Sequence, residues 1–201
     1  MTKQSLFLRL KTKISDLRVI SPEEAFQLAL DAMLTEFRRR VGERLDEMRE
    51  SRGKLVRSTQ FQNSGNQFTD RLGVYKPLVK KIGEDYIDCL KTILLPNCGL
   101  ISIYQKAQLA SEFQKIVVAQ AAHAKDAEKK FAHSIGRQEE INSVFPILES
   151  IFYSENSRVR DFIESLVKQA NLTFSTKRHA ERKKSYIQTV VTVAKKIFLG
   201  I

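Results

Sequence analysis

Apolar positions recur every three or four residues along most of this chain, the spacing of helices with one buried face. Leu6, Leu10, Ile14 and Leu17 share such a stripe and predict a first helix over residues 4–19. A longer helix is predicted after Ser21-Pro22-Glu23-Glu24. Ser21 suits the N-cap, Pro22 the first helical position, and Glu24 completes a capping box. Its stripe is Phe26, Leu30, Met33, Leu34, Phe37, Val41, Leu45 and Met48. Periodicity then disappears. Residues 53–73 are rich in Gln, Asn and Ser around the turn signal Ser64-Gly65-Asn66, and predict a long polar, basic loop. Pro77 is predicted to start the next helix, with Leu78, Ile82, Tyr86, Leu90 and Ile93 inward, and Pro96-Asn97-Cys98-Gly99 to end it.

Ser102 is read as the cap of another long helix that reaches about Ile135 and stops at Gly136. Its stripe holds Leu109, Phe113, Ile116, Val117, Ala124 and Phe131. Three helices are predicted beyond it. One covers 137–153 and is kinked or split at Pro146. A break at 154–157 precedes the second, 158–172, capped by Asn156 or Ser157. Ser175 opens the last, whose broad apolar face includes Tyr186, Ile187, Val190, Val191, Ala194, Ile197 and Phe198. The expectation is an all-α bundle of six to seven helices. Residues 1–95 form an N-terminal helical lobe and 100–201 a C-terminal bundle, with 96–99 between two lobes. Eight Gly and four Pro in 201 residues favour long helices over many short strands.

Charge changes the picture more than composition does. The net charge is +11, and three segments hold the excess. Residues 1–20 carry five basic and one acidic side chain, 54–83 six and one, and 175–201 seven and one. Clustering of this kind points to a polyanion. The candidate phosphate contacts are Lys54, Arg57 and Arg71 in the predicted loop, Lys76, Lys80 and Lys81 after it, and Lys177, Arg178, Arg182, Lys183 and Lys184 at the last helix. Phe61 and Phe68, interleaved with the loop cations, are candidates to stack bases, or else to tuck into the core from a mobile loop. The plainer alternative is that basic tails and loops aid solubility. The mixed charges of residues 36–52, such as Glu36 and Arg40 four apart, read as a solvated, pair-stabilised helix face.

Catalytic patterns are missing. His123, His133 and His179 lack zinc spacing, and none follows an arginine at the four-to-six-residue gap of helical RNases. Glu128-Lys129-Lys130 and Glu181-Arg182-Lys183 spell the Glu-x-Lys of metal nucleases, but on predicted helices and without an acidic partner. Glu84, Asp85 and Asp88 read as a solvated acidic patch near a helix start rather than a cation site. Cys89 and Cys98 fit neither a zinc nor a redox motif, and no phosphate loop or nucleophile elbow occurs. The expectation is therefore no enzyme, no cofactor and no metal. No signal peptide or membrane span is evident, which predicts a cytoplasmic protein without a membrane partner.

The helices of 77–201 and the run Lys177-Arg178-His179-Ala180-Glu181-Arg182-Lys183-Lys184 resemble the small helical subunits of CRISPR effector ribonucleoproteins. That resemblance implies a non-catalytic subunit that contacts the backbone of RNA or DNA, other protein subunits as partners, and a homo-oligomeric filament within a guide-RNA complex. A helical scaffold that binds proteins and no nucleic acid is the competing expectation. A membrane-surface helix at the C-terminus is a third, set against the Val/Ile-rich face there that reads as core.

Overall fold

The computed structural model describes residues 21–58 and 66–199, with side chains to Arg178 and at Glu181. All regular structure among these residues is helical. Helix α1 spans Pro22–Arg57, α2 Gln67–Cys89, α3 Ile103–Ser134 and α4 Ile141–Leu199. A π-helical turn, Leu90–Leu94, and a short 3-10 turn, Leu95–Asn97, prolong α2. The helix predicted over 4–19 lies outside the described residues.

The caps follow from the local sequence. Ser21 N–H donates to the Glu24 carboxylate at 2.9 Å, and Glu24 N–H donates to Ser21 Oγ at 3.2 Å. Ser102 and Gln105 repeat the device at α3. Each box satisfies donors that a helix start otherwise leaves orphaned. Gly136 ends α3 with φ +69°, a conformation that glycine adopts without a Cβ penalty.

Three predicted boundaries are corrected. Much of the segment expected as a loop over 53–73 is helix, because α1 continues to Arg57 and α2 begins at Gln67. Phe68, Leu72, Tyr75 and Val79 are buried at helical spacing, a stripe masked in the sequence by the polar residues between them. Pro77 lies inside α2 rather than at its start. It removes one helical hydrogen bond, to the carbonyl of Gly73, without ending the helix. The three helices predicted after Gly136 are one, α4, running through Pro146, 154–157 and Ser175. Pro146 falls near its N-terminus, where few helical bonds are lost. No Gly or Pro lies between Ile147 and Leu199. Asn156, Ser157 and Ser175, expected as caps, lie inside this helix, and nearby Ser154 and Thr176 turn their hydroxyls back onto the carbonyls of Ile151 and Leu172. The described residues thus hold four long helices where six or seven were expected of the whole chain.

Two antiparallel hairpins, α1–α2 and α3–α4, lie side by side with α2 parallel to α4. Arg40 and Arg44 on α1 reach Asp88 and Asp85 on α2, both at 2.7 Å. Those aspartates are therefore interhelical partners, not the solvated patch expected of them. Phe37, Tyr86 and Phe113 meet at the centre, with ring centroids 4.8 and 4.9 Å apart for the pairs that include Tyr86. The Tyr86 hydroxyl donates to the Leu109 carbonyl at 2.7 Å, which satisfies the one polar atom of that ring. One buried apolar cluster runs from Phe26 to Val167 and takes residues from all four helices.

Gly83 of α2 packs against Glu155 and Val159 of α4. A Cβ there would fall 1.7 Å from Glu155 Oε1 and 3.0 Å from Val159 Cγ2. Alanine normally stabilises a helix interior by about 1 kcal/mol relative to glycine. Here the Glu155 carboxylate would have to withdraw, disturbing its two hydrogen bonds to Arg158. Gly83→Ala is therefore expected to destabilise by about 1–3 kcal/mol in urea unfolding. Unchanged or raised stability would show that Glu155 moves aside freely.

Candidate nucleic-acid interface

The predicted phosphate contacts do not gather on one face. Lys54 and Arg57 lie in the last turn of α1. That end of the bundle also holds the start of α2 and the turn between α3 and α4. The opposite end is marked by Gln105, whose amide donates to Glu23, and by Asn171, which exchanges two hydrogen bonds with the Ile101 backbone at 2.9 and 2.8 Å. Lys177 and Arg178 lie beyond Asn171. At 1.5 Å per residue, Lys177 is about 54 Å along α4 from Ile141, several screening lengths from Lys54.

Arg71 is not available to a ligand. It is 5% exposed and donates to both oxygens of Glu128, at 2.7 and 2.8 Å, while its guanidinium sits 3.9 Å above the Phe131 ring. Tyr75 donates to Glu128 Oε1 at 2.5 Å and accepts from Arg52 at 2.7 Å. Burial and the Glu128 carboxylate push the Tyr75 phenol well above its ordinary pKa, so it remains a donor. Phe68 is also buried and edge-on to Phe131, so it cannot stack a base. Phe61 lies outside the described residues.

Several of the remaining cations are paired. Lys54 meets Glu50 at 2.6 Å, Lys80 meets Glu84 at 3.7 Å, and Lys81 meets Glu47 at 3.2 Å. Hydrogen bonds from Lys81 and Lys54 hold the Glu47 and Glu50 carboxyls below their ordinary range, so the local charge is largely cancelled. Lys76 and Arg57 are exposed. The Lys81–Glu47 pair also bridges a shallow groove between α1 and α2, and Lys106–Glu164 bridges another between α3 and α4.

The C-terminal cations have a different setting. From Leu172 to Arg178 every residue of α4 is exposed. The helix continues to Leu199, which extends its axis about 42 Å past Asn171. Lys177 and Arg178 lie on this arm, and Arg182, Lys183 and Lys184 follow on the same helix. Sequence reasoning placed these cations on a helix but gave it a separate start, and so missed that the arm continues the same helix as the bundle. It also passed over Tyr104 and Phe174, which lie outside every apolar stripe and are 76% and 38% exposed.

The other candidate chemistries fare as follows. Cys89 and Cys98 are free thiols, and burial pushes each up to about 11, which disfavours the reactive thiolate. His133 Nδ1 lies 2.9 Å from the Gln138 amide. Among the described residues no three metal-ligating side chains come together, and no helix is long and apolar enough to cross a membrane.

The described residues thus form a body of four long helices, and the last of them, α4, continues to Leu199 through the basic run of 177–184. No protein-family model matches the chain, and neither curated proteins nor solved structures yielded a match.

Proposed function

We propose that this protein is a non-catalytic helical subunit that grips the phosphate backbone of a nucleic acid through the arm formed by the end of α4. The observation that carries the reading is the charge of that arm. Residues 175–201 hold seven basic and one acidic side chain, on a helix that continues past the packed body. A lone basic helix tracks phosphates without reading bases, because Lys and Arg neutralise charge wherever the backbone passes. The narrower form of the reading is a small subunit of a CRISPR effector ribonucleoprotein, in contact with guide RNA and neighbouring protein subunits. It is supported by the all-helical architecture and the basic run at 177–184.

Titrating the full chain into labelled RNA and DNA at ~50 mM salt tests the reading. Sub-micromolar binding is expected, and no binding by folded protein overturns it. Because the bundle cations are paired or lie more than a screening length from the arm, replacing Lys54, Arg57, Lys76, Lys80 and Lys81 with Gln is expected to change affinity less than about threefold. A larger loss would place the contacts on the body.

Exposed aliphatic residues favour a second reading, a protein-binding scaffold. Leu100, Ile103 and Leu172 are more than half exposed near the root of the arm. Stable self-association without nucleic-acid binding would decide for it.

A further inference from the structure

Two exposed rings lie at the root of the arm. Phe37, Tyr86, Phe113, Tyr75 and Phe152 are buried in the core, where they pack on one another. Tyr104 and Phe174 are instead presented to solvent. Their positions are tied together by the reciprocal hydrogen bonds between Asn171 and Ile101, since Phe174 lies three residues past Asn171 and Tyr104 three past Ile101. Phe174 rests against the Gly99 backbone. A Cβ at Gly99 would lie 3.6 Å from the ring, ordinary contact distance, so the ring is supported on one side and exposed on the other.

Cations adjoin the same ring. Phe174, Lys177 and Arg178 are spaced i, i+3, i+4 and share one side of α4, and all three are exposed. A fixed aromatic face beside two cations is what a strand with unstacked bases can use, with phosphates on the cations and a base on the ring. A duplex offers the phosphates but keeps its base faces inside its own stack. We propose that Tyr104 and Phe174 stack unpaired bases, so that the root of the arm selects single-stranded nucleic acid over duplex. The proposal rests on the phosphate-backbone reading above and names its substrate class. The Ile101–Asn171 hydrogen bonds tie together the two backbone segments that carry the rings, which lowers the entropy lost when both engage one strand.

The test uses the full chain with a labelled single strand of about 20 nucleotides, longer than one small binding site, and a duplex of equal length. The single strand is expected to bind at least about tenfold more tightly. Tyr104→Ala and Phe174→Ala should each weaken single-strand binding at least about fivefold and leave duplex binding unchanged. Tyr153→Ala, an exposed ring about 27 Å down α4 from Asn171, should change neither. The chain contains no tryptophan, so Tyr104→Trp supplies a unique fluorophore. Its emission should be quenched by the single strand and not by the duplex.

Equal affinity for the two forms overturns the proposal. So does undiminished single-strand binding by both alanine variants, which would leave the rings to a protein partner while the phosphate reading stands. Failure of the wild-type chain to bind either form at low salt removes the phosphate reading, and the stacking proposal with it.

Discussion

Glu128→Ala is expected to destabilise the protein by about 3–5 kcal/mol, the largest effect of any single substitution considered. Glu128 has no exposed side-chain surface and is the common partner of Arg71 and Tyr75, with Arg52 a further 3.8 Å contact. Removing the carboxylate leaves the Arg71 guanidinium buried without a counter-charge and the Tyr75 hydroxyl without its acceptor. Charge desolvation dominates the loss, because a buried unpaired ion cannot recover its hydration without opening the core. For a chain of this size the loss corresponds to a fall in Tm of roughly 10 °C. The reverse comparison isolates the cause. Pairing Glu128→Leu with Arg71→Met replaces both ions with apolar side chains, and should recover most of the stability. A single substitution costing under about 1 kcal/mol would mean that water reaches Arg71 and that the pair is not truly buried.

The second large effect concerns binding. Replacing Lys177, Arg178, Arg182, Lys183 and Lys184 together with Gln is expected to weaken binding on the order of 1,000-fold at ~50 mM salt, because five counterion-releasing contacts are lost at once. The substitutions preserve length and helix propensity, and Lys177 and Arg178 are exposed, so unfolding of the body should be unchanged. A loss of tenfold or less would mean that these cations are not the main contacts. Comparison with the five-cation variant of the body guards against a general charge effect, since both variants change net charge equally.

Much of the helical framework was legible along the chain because its signals are local. Ser21 with Glu24, Ser102 with Gln105, and Gly136 mark termini through contacts within a few residues, and each is realised. The breaks assigned at Pro146, 154–157 and Ser175 were not real. Serine and threonine suit both a cap and a helix interior, and the outcome turns on whether the apolar face continues to find packing. Around 154–157 it does, with Phe152, Val159, Ile163 and Val167 all buried, whereas at Ser175 the helix continues although every residue from Leu172 to Arg178 is exposed. The loop expected at 53–73 failed for a related reason, since Phe68 and Leu72 become a visible stripe only once α2 is seen to continue past Pro77.

The candidate interface was harder to read. Arg71 and Lys177 look alike in sequence, yet one is enclosed by a glutamate 57 residues away and the other lies on an open helix. Nothing near Arg71 in the sequence announces Glu128. Whether basic segments meet on one face depends on the course of the helices and not on charge along the chain, and residues 1–20, one of the three segments, lie outside the described residues. The antiparallel course of α1 and the length of α4 put Lys54 and Lys177 at opposite ends.

The dependence of affinity on salt is the measurement that reaches furthest. Five phosphate contacts to a single strand predict that log affinity falls against log salt with a slope of about −3.5, roughly a 100-fold loss between 50 and 200 mM. Binding that persists with a slope near zero would contradict phosphate contact by the arm.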